Sequence, residues 1–473
     1  MSTTETTETP FRGDGPGGAG RNDYRITPGS RWFGSWKIAA GIGGLGLAAA
    51  AYGYFAKAVA PDRFAFAYLF AFFVPLSLAL GSLFFVMVQF ITKASWGVTV
   101  RRVAELFMRP MAVFALMVIP LVLLLPQLFP WLGARHPAAE PHMDSSAEHA
   151  GAVTSRAEPS PLEEARGDPT KEPAGFRDLP IHSNKQMERA EEGAEHSIME
   201  HKGFYLNKKF FLARLIGYLL LWAWLAQRFF GWSTEQDKTK ALQNTAAAQK
   251  FAPVGLMIFG VTLTFFAFDW FLSLDATWYS TIFGVWFFAQ SALFNMASLI
   301  VMTLLLRRSG LLGNTVNVEH YHDMGKLLFG WIVFWSYIAF AQFFLTWYSN
   351  IPDEVAFFHK RWHDNGGTWK GVSLSLVAFH FFVPFWFMMS RNIKRRLPLL
   401  ATGAAFMMLT HVVEVYWVVM PNFGPLQPGW IDAACLFGVF GVYMAAVLRG
   451  MEDYPLVALG DPRLARALEF ENA

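Results

Sequence analysis

Cysteine is almost missing from this sequence: Cys435 is the only one in 473 residues. A single thiol excludes a disulfide framework, a cysteine-ligated iron–sulfur cluster and a C-x-x-C-H haem attachment within the chain. Charge is scarce as well. Asp, Glu, Lys and Arg supply 16% of the residues, against about 25% in ordinary soluble domains. The charges sit in the links between apolar runs, and a net charge of +3 gives no reason to expect a nucleic-acid partner. The N-terminus lacks the charged-then-apolar layout of a cleavable signal, so the first apolar run is expected to direct insertion.

Apolar side chains fill that space instead. Hydrophobic residues make up 54% of the chain, and Phe alone accounts for 47 positions. Runs of about twenty apolar residues recur, each long enough to cross a hydrocarbon core of roughly 30 Å. The expected fold is therefore an all-α membrane protein of about ten transmembrane helices, with lipids as neighbours.

Residues 1–34 read as a disordered tail rich in Thr, Gly and Pro. Spans one to three fall within 35–132, at about Ser35–Ala60, Phe64–Ile91 and Arg109–Pro130. Span one contains Gly41-Ile42-Gly43-Gly44-Leu45-Gly46, a literal G-x-G-x-x-G. No strand precedes it, so the small residues are read as a close helix contact rather than a nucleotide loop. Residues 133–205 form an acidic, Pro-rich insert with 14 acidic residues against 8 Lys/Arg, too polar to bury a core. Its six histidines (His136, His142, His149, His182, His196, His201) lack tight metal-ligand spacing, and no metal site is assigned. Spans four to ten occupy 206–450, at about Leu206–Phe230, Phe251–Leu274, Trp278–Leu306, Lys326–Tyr348, Trp369–Ser390, Leu397–Met420 and Gly429–Leu448. The polar, helix-prone stretch Thr234–Lys250 is expected at the interface, and residues 451–473 form a cytoplasmic C-terminal tail.

Orientation follows from Lys and Arg in short links. One side holds Lys93, Arg101, Arg102, Arg109, Arg228, Lys238, Lys240, Lys250, Arg307, Arg308, Lys326, Arg391, Lys394, Arg395 and Arg396. The other holds only Lys57, Arg63, Lys360, Arg361 and Lys370. Both termini are expected in the cytoplasm, with the insert facing outward.

Polar groups within the spans are the functional candidates, because a charge in hydrocarbon costs several kcal/mol and normally faces a protein interior or a cavity. At about 1.5 Å per residue, Asp269 and Gln342 lie about 9 Å below the outer boundary. His411 lies about 13 Å deep, with Glu414 one turn nearer the surface, and His380 lies about 16 Å deep. His411 and Glu414, at i and i+3, share a helix face. Each group alone can be a polar side chain satisfied by a neighbouring helix. Asp269 with His411 and Glu414 suits a proton relay instead. A bis-His haem between His380 and His411 passes the depth test, but bulky Phe379, Phe381, Phe382, Val412 and Val413 crowd it.

Three strings carry a family resemblance: Asp269-Trp270 through Ser280-Thr281-Ile282-Phe283-Gly284, then Glu319-His320-Tyr321-His322-Asp323-Met324-Gly325-Lys326, and Trp347-Tyr348-Ser349-Asn350-Ile351-Pro352-Asp353-Glu354. Together they resemble the polysulfide-reductase-type (NrfD-like) membrane subunits of alternative complex III, a quinol:electron acceptor oxidoreductase. The resemblance covers roughly residues 250–450, and the earlier spans by topology alone. It implies two four-helix bundles, here spans two to five and six to nine, plus two peripheral helices. It implies a bacterial inner membrane, a related ten-helix subunit, an iron–sulfur subunit and multihaem cytochrome c subunits as partners. The iron–sulfur clusters and haem c would belong to those partners. This chain would carry no redox centre and would not be catalytic alone, although a quinone could contact it. The insert and the shorter length resemble the second of the two ten-helix subunits.

The resulting expectation is a subunit that supports quinol oxidation and conducts protons. Asp269, His411 and Glu414 would form an outer half-path, extended inward by Gln342, Ser336 and His380, with His322, Asp323 and Lys326 at the inner mouth. A proton-coupled secondary transporter and a purely structural scaffold of the complex are the alternatives.

Overall fold

The computed structural model describes residues 24–133, 201–276, 278–313 and 315–471. Most of the N-terminal tail and of the acidic insert, with His136, His142, His149, His182 and His196, lies outside the described residues. Among the described residues the chain is helical without strands, and ten helices are long and apolar enough to cross a membrane. They are α1 (Ser35–Phe55), α2 (Pro61–Ile91), α3 (Val98–Leu123), α4 (Lys208–Thr239) and α5 (Leu242–Leu274). The second half adds α6 (Phe283–Arg308), α7 (Val318–Ser349), α8 (Lys370–Met389), α9 (Leu397–Asn422) and α10 (Trp430–Asp453). This is a multi-pass, all-α membrane protein.

Helices α2, α3, α4 and α5 pack in a closed ring, and α6, α7, α8 and α9 form a second one. The two rings are the expected four-helix bundles, joined where α2 meets α6. Those two central helices are buried along most of their length, which explains their near-continuous apolar sequence. Helices α1 and α10 pair along the edge of the bundles. A Cβ added at Gly46 would stand 2.5 Å from the Gly438 nitrogen, and one at Gly43 would stand 2.6 Å from the Val442 nitrogen. The small residues of span one thus let two backbones touch, as small-residue stripes do in membranes.

Three boundaries differ from the sequence reading, each for a physical reason. Helix α3 begins at Val98, not Arg109, because Arg101 and Arg102 are buried by ion pairs rather than solvated in a link. Arg101 pairs with Glu105 and Asp461, both at 2.8 Å, while Arg102 reaches Glu105 at 2.8 Å and Asp237 at 2.7 Å. This network ties the segment after α10 to α3 and α4. The polar stretch after residue 234 is helical as expected but extends α4 to Thr239 and starts α5 at Leu242, with the chain reversing at Lys240 in left-handed backbone (φ 57°). Finally, α7 starts at Val318, where the Asn317 side chain caps it by accepting from the Glu319 and His320 amides.

A short helix not read from the sequence, Pro352–Trp362, links α7 to α8. Its Arg361 is 1% exposed, and donates to the carbonyls of Phe357, Trp417 and Val418. A guanidinium at the C-terminal carbonyls of α9 suits the negative end of that helix dipole.

Candidate functional site

In the second bundle, α9 turns Glu414 inward, where its side chain is fully buried. Two indoles converge on one oxygen: Trp286 of α6 and Trp335 of α7 donate to Glu414 Oε1 at 2.8 and 2.6 Å. The other oxygen, Oε2, faces two imidazoles. His380 Nδ1 lies 3.7 Å away and His411 Nδ1 lies 3.9 Å away. Among the described residues, Oε2, His411 Nδ1 and both His380 ring nitrogens have no protein hydrogen-bond partner. Buried polar atoms are rarely left so, and a carboxylate oxygen together with three ring nitrogens of the two adjacent imidazoles marks a site.

Each member is placed by its own helix. His411 sits one turn before Glu414, and its Nε2 meets Ser77 Oγ of α2 at 2.8 Å. Ser77 commits its proton to the Val74 carbonyl at 2.8 Å. The hydroxyl therefore accepts from His411 Nε2–H, and Nδ1 is left as the unprotonated nitrogen facing Glu414. His380 lies in a wider π-helical turn over Val377–Phe382. Pro384 cannot donate to the His380 carbonyl four residues back, and such turns accommodate the mismatch.

One wall of the site opens on a cavity of about 930 Å³ between α7, α8, α9 and the short helix. Glu414, Trp286, Trp335, Trp417 and Arg361 form its inner end. Tyr337, Phe340, Leu374, Val377 and Phe382 are exposed along an apolar part of its rim that faces hydrocarbon, while Asn350, His359 and His363 form a polar part. The cavity thus connects an exposed apolar surface with a buried carboxylate. The bis-His haem arrangement does not fit. The Trp335 ring lies 3.8 Å from that of His380, the Phe294 ring stacks on His411 at 4.2 Å, and Glu414 stands beside both imidazoles.

Asp269 belongs elsewhere. It is 1% exposed, and Arg214 of α4 grips it with two bonds of 2.7 and 2.9 Å. Tyr218 adds a third, at 2.9 Å. The expected grouping of Asp269 with His411 and Glu414 is replaced by this ion pair inside the first bundle. The neighbouring α2–α5–α6 interface is aromatic, with Phe73 stacked on Phe271 at 4.1 Å and Phe287 at 5.0 Å from Phe271. Arg214 is the partner that the sequence reading did not include. It lies in the apolar run of span four, at a depth comparable to Asp269, and a second buried charge of opposite sign is its signal.

The remaining candidates separate into groups. Gln342 is buried and accepts from the Ser280 hydroxyl. Ser336 lines the cavity, with its hydroxyl turned back to the Val333 carbonyl at 2.8 Å. At the start of α7, His322 is buried, while Asp323 pairs with a half-exposed Lys326. About 20 Å of helix separates His322 from Trp335. Buried polar side chains of α2 and α6 occupy the depths between, namely Ser82 with Asn295 at 2.7 Å, then Ser298 and Thr303. The sequence reading missed these, as it missed Ser77 and the two indole donors. Asp275, just past the outer end of α5, accepts from Lys360 Nζ at 2.6 Å.

No protein-family model matches the sequence, and no curated protein matches it.

Proposed function

We propose that this chain is the proton-conducting membrane subunit of a quinol-oxidising respiratory complex of the alternative complex III type, the second of its two related ten-helix subunits. In this reading it sits in a bacterial inner membrane with both termini cytoplasmic. Its partners are a related ten-helix subunit, an iron–sulfur subunit and multihaem cytochrome c subunits, which hold the redox centres. The reading is supported by the three motif strings and by the pair of four-helix bundles. The observation that carries it is Glu414, held by two indoles at the end of a membrane-facing cavity with two imidazoles on its free oxygen.

Such a carboxylate can carry charge on Oε1, where two N–H groups donate, or a proton on Oε2. A quinol headgroup in the cavity gives up two protons and two electrons on oxidation. Both electrons leave to the partners' redox centres, Glu414 accepts one proton, and the other passes to solvent past the exposed His359 of the cavity lining. His411 Nδ1 is placed to receive it next. His380 is the second base at the same oxygen. The polar column Ser82–Asn295, Ser298, Thr303 and the His322–Asp323–Lys326 group form the inward half of the path. Asp269, neutralised by Arg214, holds α4 against α5 and is not the relay's first member.

The test is isolation of the native assembly through a tag on this chain. The expected result is co-purification with iron–sulfur and haem c proteins and quinol oxidation by the whole. A chain that purifies alone and moves a solute with protons would replace this reading with the transporter one.

A further inference from the structure

A second recess lies on the opposite bundle, where the end of α4 meets the start of α5. It encloses about 430 Å³ and is lined by Trp224, Arg228, Trp232, Lys250, Phe251 and Val254, together with Ala247. Two of these are cations and none is an acid. Among the described residues, neither Arg228 nor Lys250 has a carboxylate within ion-pair distance, in a chain whose other cations repeatedly find one. The Arg228 guanidinium rests over the Trp232 ring, 4.8 Å from its centroid. Trp232 and Trp224 both pack against Phe251, at 5.8 and 5.7 Å.

Tryptophan belts mark the membrane–water boundary, and both cations lie on the side where Lys and Arg concentrate in the links. From the recess an apolar strip runs toward mid-membrane. Leu220 continues the face of Trp224 and Arg228 on α4, and Met257 and Val261 continue that of Lys250 and Val254 on α5. All of them are exposed where acyl chains would lie. We infer that this recess is a binding site for an anionic phospholipid, with the phosphodiester between Arg228 and Lys250 and the acyl chains along Leu220, Met257 and Val261. Basic pockets between helices on the cytoplasmic side recognise such headgroups. The inference is independent of the function proposed for Glu414.

The test is native mass spectrometry of the full chain, with whatever partners accompany it, in neutral detergent. Phosphatidylglycerol, phosphatidylcholine and inorganic phosphate serve as probes. Wild type should retain phosphatidylglycerol over phosphatidylcholine, and millimolar inorganic phosphate should not displace it. Arg228→Gln with Lys250→Gln should weaken retention about tenfold or more, since each cation near an anionic surface contributes several-fold. Arg228→Lys with Lys250→Arg should keep it. Both side chains are exposed, so thermal stability without lipid should not change; if the double variant fails to fold, Lys250→Gln alone should still lose several-fold. Equal retention by wild type and the Gln variants would overturn the proposal. So would loss to inorganic phosphate, no preference over phosphatidylcholine, or a photo-crosslinker at position 224 that captures a protein helix instead of lipid.

Discussion

Trp335 of α7 donates its indole N–H to Glu414 Oε1 of α9 across 2.6 Å, inside the bundle and at the edge of a cavity open to hydrocarbon. The bond fixes which oxygen is engaged and leaves the other to His380 and His411. Trp335→Phe keeps the ring packing on His380 and removes only the donor. A hydrogen bond to a charged group contributes about 1.5–3 kcal/mol, so quinol turnover by the assembly should fall by about tenfold or more. Steady-state assay of the purified complex checks this, with intact subunit composition as the control.

Arg214 and Asp269 should behave as one unit in stability. Removing one partner of a buried pair costs about 3–5 kcal/mol, because the other charge is left uncompensated. Arg214→Met and Asp269→Leu are each expected to lower the thermal midpoint in detergent sharply. The double variant should lose less than the sum of the two. Additive losses would argue against the pair.

Backbone contact between α1 and α10 depends on having no Cβ at Gly46 and Gly438. Gly46→Leu forces heavy atoms against backbone that cannot move aside. The expected outcome is release of α1, read as loss of a cysteine cross-link engineered across the α1–α10 interface, with the two bundles unaffected.

Asp461 gives the described C-terminal segment a pH dependence. Burial favours its neutral form, but Arg463 and Arg101 outweigh that and hold the carboxyl well below the usual carboxylate range. A depressed folded-state pKa adds stability at neutral pH, fully present above the unfolded value of about 4 and lost as pH falls below it. Limited proteolysis should therefore cut after α10 more readily in acid. Asp461→Asn should show the acid behaviour already at pH 7, by on the order of 3 kcal/mol.

The spans were legible because each apolar run is as long as a bilayer is thick, and the lone carboxylate of Asp269 was visible as an exception to that pattern. Helix rotation was not legible. Nothing in the run around Arg214 states that it faces Asp269, and a Trp such as Trp286 or Trp335 on an apolar stretch reads as core packing. His411 and Glu414 could be joined from their i, i+3 spacing alone. His380, in the wide turn before Pro384, joins them from another helix, with no spacing in the sequence to show it. Arg101 and Arg102 read as link cations because, apart from the neighbouring Glu105, their partners Asp237 and Asp461 are more than a hundred residues away in the chain.

Glu414→Gln in the intact assembly is the most direct measurement of the central claim. The substitution keeps shape and can still accept from both indoles, but it cannot take up a proton. With partners and redox centres retained, quinol turnover and the accompanying proton release should fall together by roughly a hundredfold or more, the scale of lost general acid–base catalysis. Turnover and proton release at wild-type rates in that variant would contradict the assignment of Glu414 as the relay.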